Sequence, residues 1–209
     1  MVQSVPKDFD PALLFPTTGM PDADWWHALW PDPLATVQAL GIRPGMRVVD
    51  LCCGDGYFTA AIARQVGAGG QVLGVDLDAT LLQQAQGACA QVTHQPRFTW
   101  LQADVRDLTR LLHDRFDLVL MANTFHGVPD PTDLAREVAT VLKLGGRFVV
   151  VNWHPISREQ TPVLGQARGP RTDIRMSPEQ ARAVIEPAGF ELETLVELPP
   201  YHYGAVFKA

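Results

Sequence analysis

The sequence lacks a basic surplus. Lys and Arg together number 17 against 23 Asp and Glu, a formal net charge of −6 at pH 7, so the chain as a whole has no electrostatic footprint for nucleic acid. It also lacks any apolar run near the roughly 18 residues of a membrane helix. Cysteine is scarce. Cys52, Cys53 and Cys89 are odd in number, two are adjacent, and none has zinc-ligand spacing. A disulfide framework and a bound metal are therefore not expected, and the thiols suit a reducing, cytoplasmic setting. Residues Met1 to Asp8 show no basic stretch leading into an apolar one, so no secretory leader is expected. Repeats and low-complexity segments are missing too. With 46% hydrophobic and 19% charged residues, the 209-residue chain reads as one globular domain with a terminal extension.

Proline and tryptophan are concentrated at the start. Residues 1–45 hold seven of the 17 prolines and Trp25, Trp26 and Trp30, which permits only short helices. Asp24 can cap one helix through Trp30, and Pro33 to Leu40 can form a second, ended by Gly41. This arm either packs its aromatics on the main domain or works as a lid whose aromatics, Trp26 among them, line a pocket. The two roles are compatible.

From Met46 the pattern alternates. Strands are expected at 47–51, 71–76, 98–102, 116–121 and 147–152, and helices at 57–66, 78–90, 131–144 and from Ser177, which is an N-cap followed by Pro178. Two tail strands, 191–197 and 203–207, are joined through Pro199-Pro200 without a helix. The expected fold is α/β: a doubly wound, Rossmann-like, mostly parallel seven-stranded sheet with an antiparallel C-terminal strand, plus the helical N-terminal extension. The domain boundaries are 1–45 for the arm and 46–209 for the body.

Doubly wound sheets bind ligands outside the carboxyl ends of their strands. The first strand ends in Asp50-Leu51-Cys52-Cys53-Gly54-Asp55-Gly56, where glycines allow close backbone approach and a helix follows. The second ends in Asp76, suited to accept both hydroxyls of a ribose. The third leads to Ala103-Asp104-Val105, suited to an adenine amine. Three carboxylates after three consecutive strands describe a nucleoside site. A dinucleotide fingerprint would need a glycine where Thr59 stands, and a pyrophosphate would be repelled by Asp50 and Asp55. A cationic cofactor would not.

These segments resemble the class I S-adenosylmethionine-dependent methyltransferases. Val48 to Phe58 resembles their motif I, Gly74-Val75-Asp76 their ribose-binding strand end, and Ala103-Asp104-Val105 their adenine turn. Phe116-Asp117-Leu118-Val119 resembles motif IV, and Leu142-Lys143-Leu144-Gly145-Gly146 the turn before the fifth strand. The resemblance spans about residues 46–209 and is greatest to the small-molecule "type 11" branch, which includes quinone-ring methyltransferases. It implies S-adenosyl-L-methionine as cofactor and S-adenosyl-L-homocysteine as product. By the same resemblance, Asp50 and the backbone of Cys52 and Gly54, with Gly56, meet the cofactor's amino-acid end. Asp76 meets the ribose, Leu77 packs on the adenine, Asp104 and the Val105 amide hold its edge, and Asn123 lies near the methionine portion.

Two departures matter. Cys52 replaces the first glycine of motif I and needs either negative φ or strain. Asn123-Thr124-Phe125-His126 is not the signature of nucleobase or glutamine-amide methylation, which disfavours DNA as substrate. It also lacks the carboxylates an aminopropyl transferase would need. The expected function is methyl transfer to a small-molecule acceptor, with no nucleic-acid or membrane partner; the alternative is a cofactor-binding module without chemistry. His126 is the candidate general base. His154, grouped with Asn152 and Trp153 as facing one region, is a candidate pocket residue. Arg171, in a long connection with Arg158, Arg168 and Arg175, is a candidate for a substrate anion. His202 is expected on the surface.

Overall fold

A computed structural model describes residues 23–209. The first half of the proline-rich arm, residues 1–22, lies outside the described residues. Helices α1 (Ala23–Leu29) and α2 (Pro33–Ala39) lead into β1 (Arg47–Leu51), α3 (Tyr57–Val66), β2 (Gln71–Asp76), α4 (Ala79–Ala90), β3 (Arg97–Gln102), α5 (Leu108–Leu111) and β4 (Phe116–Ala122). Then come α6 (Pro131–Val141), β5 (Leu142–Trp153), a two-stranded ribbon of β6 (Pro162–Val163) and β7 (Gln166–Ala167), α7 (Pro178–Ile185), β8 (Glu191–Leu198) and β9 (His202–Lys208).

The main sheet has the order β3-β2-β1-β4-β5-β9-β8. β1 to β5 run parallel, and β9 lies antiparallel between β5 and β8. The order reverses between β1 and β4, and at such a switch the following loops part to leave a crevice. Apolar runs such as Val48-Val49 and Leu118-Val119-Leu120 bury alternate residues on opposite faces, as a two-sided parallel sheet requires. One face, with Val49, Val119, Val150 and Tyr203, packs on α6 and α7. The other, with Val48, Leu118, Val149 and Trp153, packs on α1, α2 and α3. Among the described residues no helix is long and apolar enough to cross a membrane.

Local rules set most boundaries. Asp78 caps α4 by accepting from Thr80 and Leu81, and Ser177 and Gln180 form a reciprocal capping box on α7. The helix expected to reach Leu144 stops at Val141, because Leu142 pairs with Phe116 across the sheet. Gly145 then turns at φ +71, leaving Leu144 fully exposed. The short helical segment 105–111 was not foreseen; its four-residue α-helix is too short to show a period.

The arm from Trp25 onward is part of the core. Trp25, Trp26 and Trp30 are all at most 8% exposed. Trp30 meets Phe58 edge-on at 5.4 Å, and Tyr57 Oη donates to the Trp30 carbonyl. This packing corrects the reading of His202. It is 1% exposed, held between Trp30 at 4.5 Å and Trp153 at 4.2 Å, rather than on the surface.

Candidate active site

The carboxyl ends of β1, β2 and β4 bring the acidic strand ends and Asn123 together. Asp50 lies within β1 at 2% exposure, and Thr59 Oγ1 donates to its Oδ2 at 2.6 Å. Burial pushes the Asp50 carboxyl up to about 7, against the Thr59 bond, and the nearby Asp76 charge adds to the rise. Asp76, 8% exposed, accepts from the backbone of Gly54 at 2.8 Å and of Asp78 at 2.9 Å. The first bond ties the β1 loop to the end of β2, and the second closes the turn after β2. The Leu77 amide is a further donor to this carboxylate, which still has acceptor capacity left for another. Among the described residues neither Asp50 nor Asp76 has a salt-bridge partner.

Backbone strain marks the same place. Cys52 sits at φ +57 and Asn123 at φ +60, one after β1 and one after β4. Asparagine tolerates the left-handed region; cysteine does so at a cost. Of the two outcomes open to a cysteine here, the loop takes the strained one. Burial and then the charges of Asp76, Asp50 and Asp104 push the Cys52 thiol far up, so it is no nucleophile at neutral pH. Both amide atoms of the Asn123 side chain are buried without a hydrogen-bond partner, a costly arrangement that a ligand would relieve.

Gly56 occupies a different kind of position. Its N–H donates to Cys53 O, and a Cβ there would lie 2.6 Å from Ala85 Cα. The close approach it permits is of α4 to the start of α3. Leu77 is half-buried and gives its carbonyl to Gln102. Val105 turns its side chain into the core, so only its backbone faces the loop end. Burial raises the Asp104 carboxyl, but the Arg106 guanidinium and amide outweigh this and hold it below its ordinary value.

His126 follows β4 in a short 3-10 turn, three residues after Asn123. Its Nδ1 lies 3.2 Å from Asn152 Oδ1, and its Nε2 is buried with no partner. Burial lowers its basicity, partly offset by Asn152 and reinforced by Arg175. Of Asn152, Trp153 and His154, only Trp153 departs from the shared region, because strand side chains alternate: Asn152 and His154 both lie against Tyr203. Asn152 points to His126 and Tyr203, while Trp153 lies on the opposite face against Trp25, at 6.2 Å, and His202. His154 bonds Glu197 at 3.0 Å.

The long connection is organised by Arg175, not Arg171. Arg175 is 5% exposed, donates to the Ile156, Arg168 and Pro170 carbonyls and Thr161 Oγ1, and stacks at 4.8 Å on Trp153. Its charge is spent inside the loop. Arg171 is exposed and paired with Asp173. Trp26 stacks at 5.3 Å on Trp25 and 6.3 Å on Tyr57. The residues whose part shows only in three dimensions are Thr59, Asn152, Tyr203 and Arg175. Of these, Asn152 alone carries a visible signal, a polar residue closing the apolar run Phe148 to Val151.

Residues 48–146 match the methyltransferase-domain family model. The chain is 32% identical over 134 residues to a protein named 2-phytyl-1,4-naphtoquinone methyltransferase from Trichormus variabilis, covering 64% of this chain and 57% of that one. It is 28% identical over 187 residues to the ubiquinone/menaquinone biosynthesis C-methyltransferase UbiE of Idiomarina loihiensis, covering 79% and 73%. The chain thus spans little more than half the length of the cyanobacterial relative. A solved structure described as a SAM-dependent methyltransferase from Aquifex aeolicus superposes with a TM-score of 0.73 over 90% of this chain and 93% of that one, at 20% identity, which shows a shared fold. The family match over residues 48–146, the motif order and the topology all agree with a class I S-adenosylmethionine-dependent methyltransferase, the family this chain is similar to.

Proposed function

We propose that the protein transfers a methyl group from S-adenosyl-L-methionine to a small, flat, apolar acceptor. The observation that carries this reading is a pair of buried carboxylates, Asp50 and Asp76, with no salt-bridge partner among the described residues, beside the unpartnered amide of Asn123. Buried charge of one sign calls for a ligand of the other. A molecule with a sulfonium, an ammonium and a ribose answers the whole set, whereas a pyrophosphate would be repelled.

In this reading Asp50 faces the ammonium end with the backbone of Cys52 and Gly54. Asp76 offers its remaining acceptor capacity to the ribose hydroxyls. Leu77, Asp104 and the Val105 amide border the base, and Asn123 completes the methionine end. When bound, the cofactor supplies an electrophilic methyl group for in-line displacement. The protein supplies position, exclusion of water and a base. Positioning alone accounts for roughly 7–11 kcal/mol of such a barrier. His126 Nε2, buried and free, takes a proton from an acceptor that arrives protonated. A flat acceptor is in keeping with the naphthoquinone and ubiquinone names of the relatives, and Trp26, stacked on Trp25 and Tyr57, is the aromatic candidate to meet it. His154 and Arg171 reach such an acceptor only by leaving Glu197 and Asp173.

Calorimetric titration with S-adenosylhomocysteine, with NADH as control, tests the reading. Wild-type binding that Asp76→Ala abolishes supports it. No wild-type binding, or binding indifferent to Asp76, overturns it. A cofactor-binding module without chemistry would bind but yield no S-adenosylhomocysteine from S-adenosylmethionine with any phenol or thiol.

A further inference from the structure

The register of β5 against β9 sets Asn152 directly opposite Tyr203. Both residues are fully buried. Tyr203 Oη lies 2.9 Å from the Met176 carbonyl and 3.4 Å from Asn152 Nδ2. Asn152 Oδ1 lies 3.2 Å from His126 Nδ1. These four groups form one chain whose hydrogens are fixed by elimination.

A carbonyl oxygen can only accept, so the single phenolic hydrogen of Tyr203 is spent on Met176. Burial holds the Tyr203 hydroxyl protonated, pushing it up to about 12 despite the Asn152 bond. The lone pairs of Tyr203 Oη then accept from the Asn152 amide nitrogen. The Asn152 carbonyl must therefore face His126, and only a hydrogen on Nδ1 makes that contact a bond. A neutral imidazole with its hydrogen on Nδ1 carries a bare lone pair on Nε2. Nε2 is the ring atom that is buried without a partner.

We propose that Asn152 and Tyr203 are positioning residues that hold His126 in its Nδ1–H form, so that Nε2 is the atom that takes the acceptor's proton. This rests on the methyl-transfer reading only for what the proton transfer serves; the tautomer itself is a property of the protein without cofactor. In the step served, the O–H proton of the acceptor passes to Nε2 and its bonding pair stays on oxygen as the nucleophilic pair. The imidazolium, with N–H on both nitrogens, then returns one proton to solvent. The device is a neutral relay, an amide and a phenol where a carboxylate would serve in an acid–His pair. It orients the ring and favours its charged form less than a carboxylate would.

The test is two-bond proton–nitrogen NMR on histidine-labelled, cofactor-free protein at neutral pH, with the His126 signals identified by their loss in His126→Ala. Wild type is expected to show Nδ1 protonated and Nε2 bare. Tyr203→Phe frees the Asn152 amide to turn over, and Asn152→Leu removes it; each is expected to lose the Nδ1–H pattern in favour of Nε2–H. Asn152→Asp, which still accepts from Nδ1–H, is expected to keep the pattern and move the His126 titration to higher pH. Circular dichroism establishes that each variant is folded, and if Asn152→Leu fails to fold, Tyr203→Phe carries the comparison. Wild-type His126 protonated on Nε2, or a pattern that Tyr203→Phe leaves unchanged, overturns the proposal. Failure of S-adenosylhomocysteine to bind wild type would overturn the cofactor reading instead, and leaves this spectrum as decisive as before.

Discussion

Thr59 Oγ1 donates to Asp50 Oδ2 at 2.6 Å, tying the first turn of α3 to the end of β1. The bond favours the carboxylate that burial opposes, and the balance leaves Asp50 at about 7. A cationic ligand prefers the ionised form, so binding lowers this value and releases a proton wherever Asp50 was protonated beforehand.

The affinity for S-adenosylhomocysteine is therefore expected to rise with pH through about 7, by at most about tenfold per pH unit for one linked proton, and to level off above it. Thr59→Val keeps the shape and removes the donor. Asp50 then titrates higher, so binding weakens several-fold at pH 7 and recovers as pH rises. Calorimetry in buffers of different ionisation enthalpy reads the released proton directly. A flat profile in wild type would mean that Asp50 does not face the charge of the ligand.

His126→Ala is expected to reduce turnover by about 10²–10⁴, the span of a positioned base, with S-adenosylhomocysteine affinity within a few-fold of wild type. The check is a cofactor-turnover assay with the first protic acceptor found. Unchanged turnover would assign the proton to another group.

The central strands were legible in the sequence because a parallel sheet buried on both faces leaves continuous apolar runs, and Asp50 and Asp76 stand at or next to the ends of two of them. What joins distant segments was not legible. Nothing in the neighbourhood of Thr59 announces its partner, and Asn152 and Tyr203, far apart in sequence, meet only through the β5–β9 register. The end of α6 was misplaced because Leu142 has a partner, Phe116, that no local rule supplies. His202 reads as a surface residue between two tyrosines until the arm brings Trp30 onto it. Propensity and capping set the local elements; tertiary packing decided these exceptions.

Cys52→Gly is expected to stabilise the ligand-free protein by about 0–2.5 kcal/mol. The left-handed conformation at φ +57 costs a non-glycine residue about 1–3 kcal/mol, and glycine's extra chain entropy takes back about 0.5–1 kcal/mol. Urea unfolding with unchanged slope measures it. A loss of stability would show that the buried thiol's packing outweighs the strain.

Arg175→Met keeps a long side chain against Trp153 but deletes the donors to the Ile156, Arg168 and Pro170 carbonyls and to Thr161. Each buried acceptor left unmatched costs about 1–3 kcal/mol, less where water replaces the donor. The cost falls on the 155–176 connection, which has little regular structure of its own to resist it. Trypsin is therefore expected to cut at Arg158, Arg168 or Arg171 much faster in the variant than in wild type, while S-adenosylhomocysteine affinity, which the proposed site places on Asp50 and Asp76, is expected to stay within a few-fold. If cleavage is unchanged, the loop is held by Trp153 and the β6–β7 ribbon instead. If affinity falls together with cleavage resistance, the connection braces the cofactor side of the site as well, because opening it has then disturbed the strand ends that carry the carboxylates.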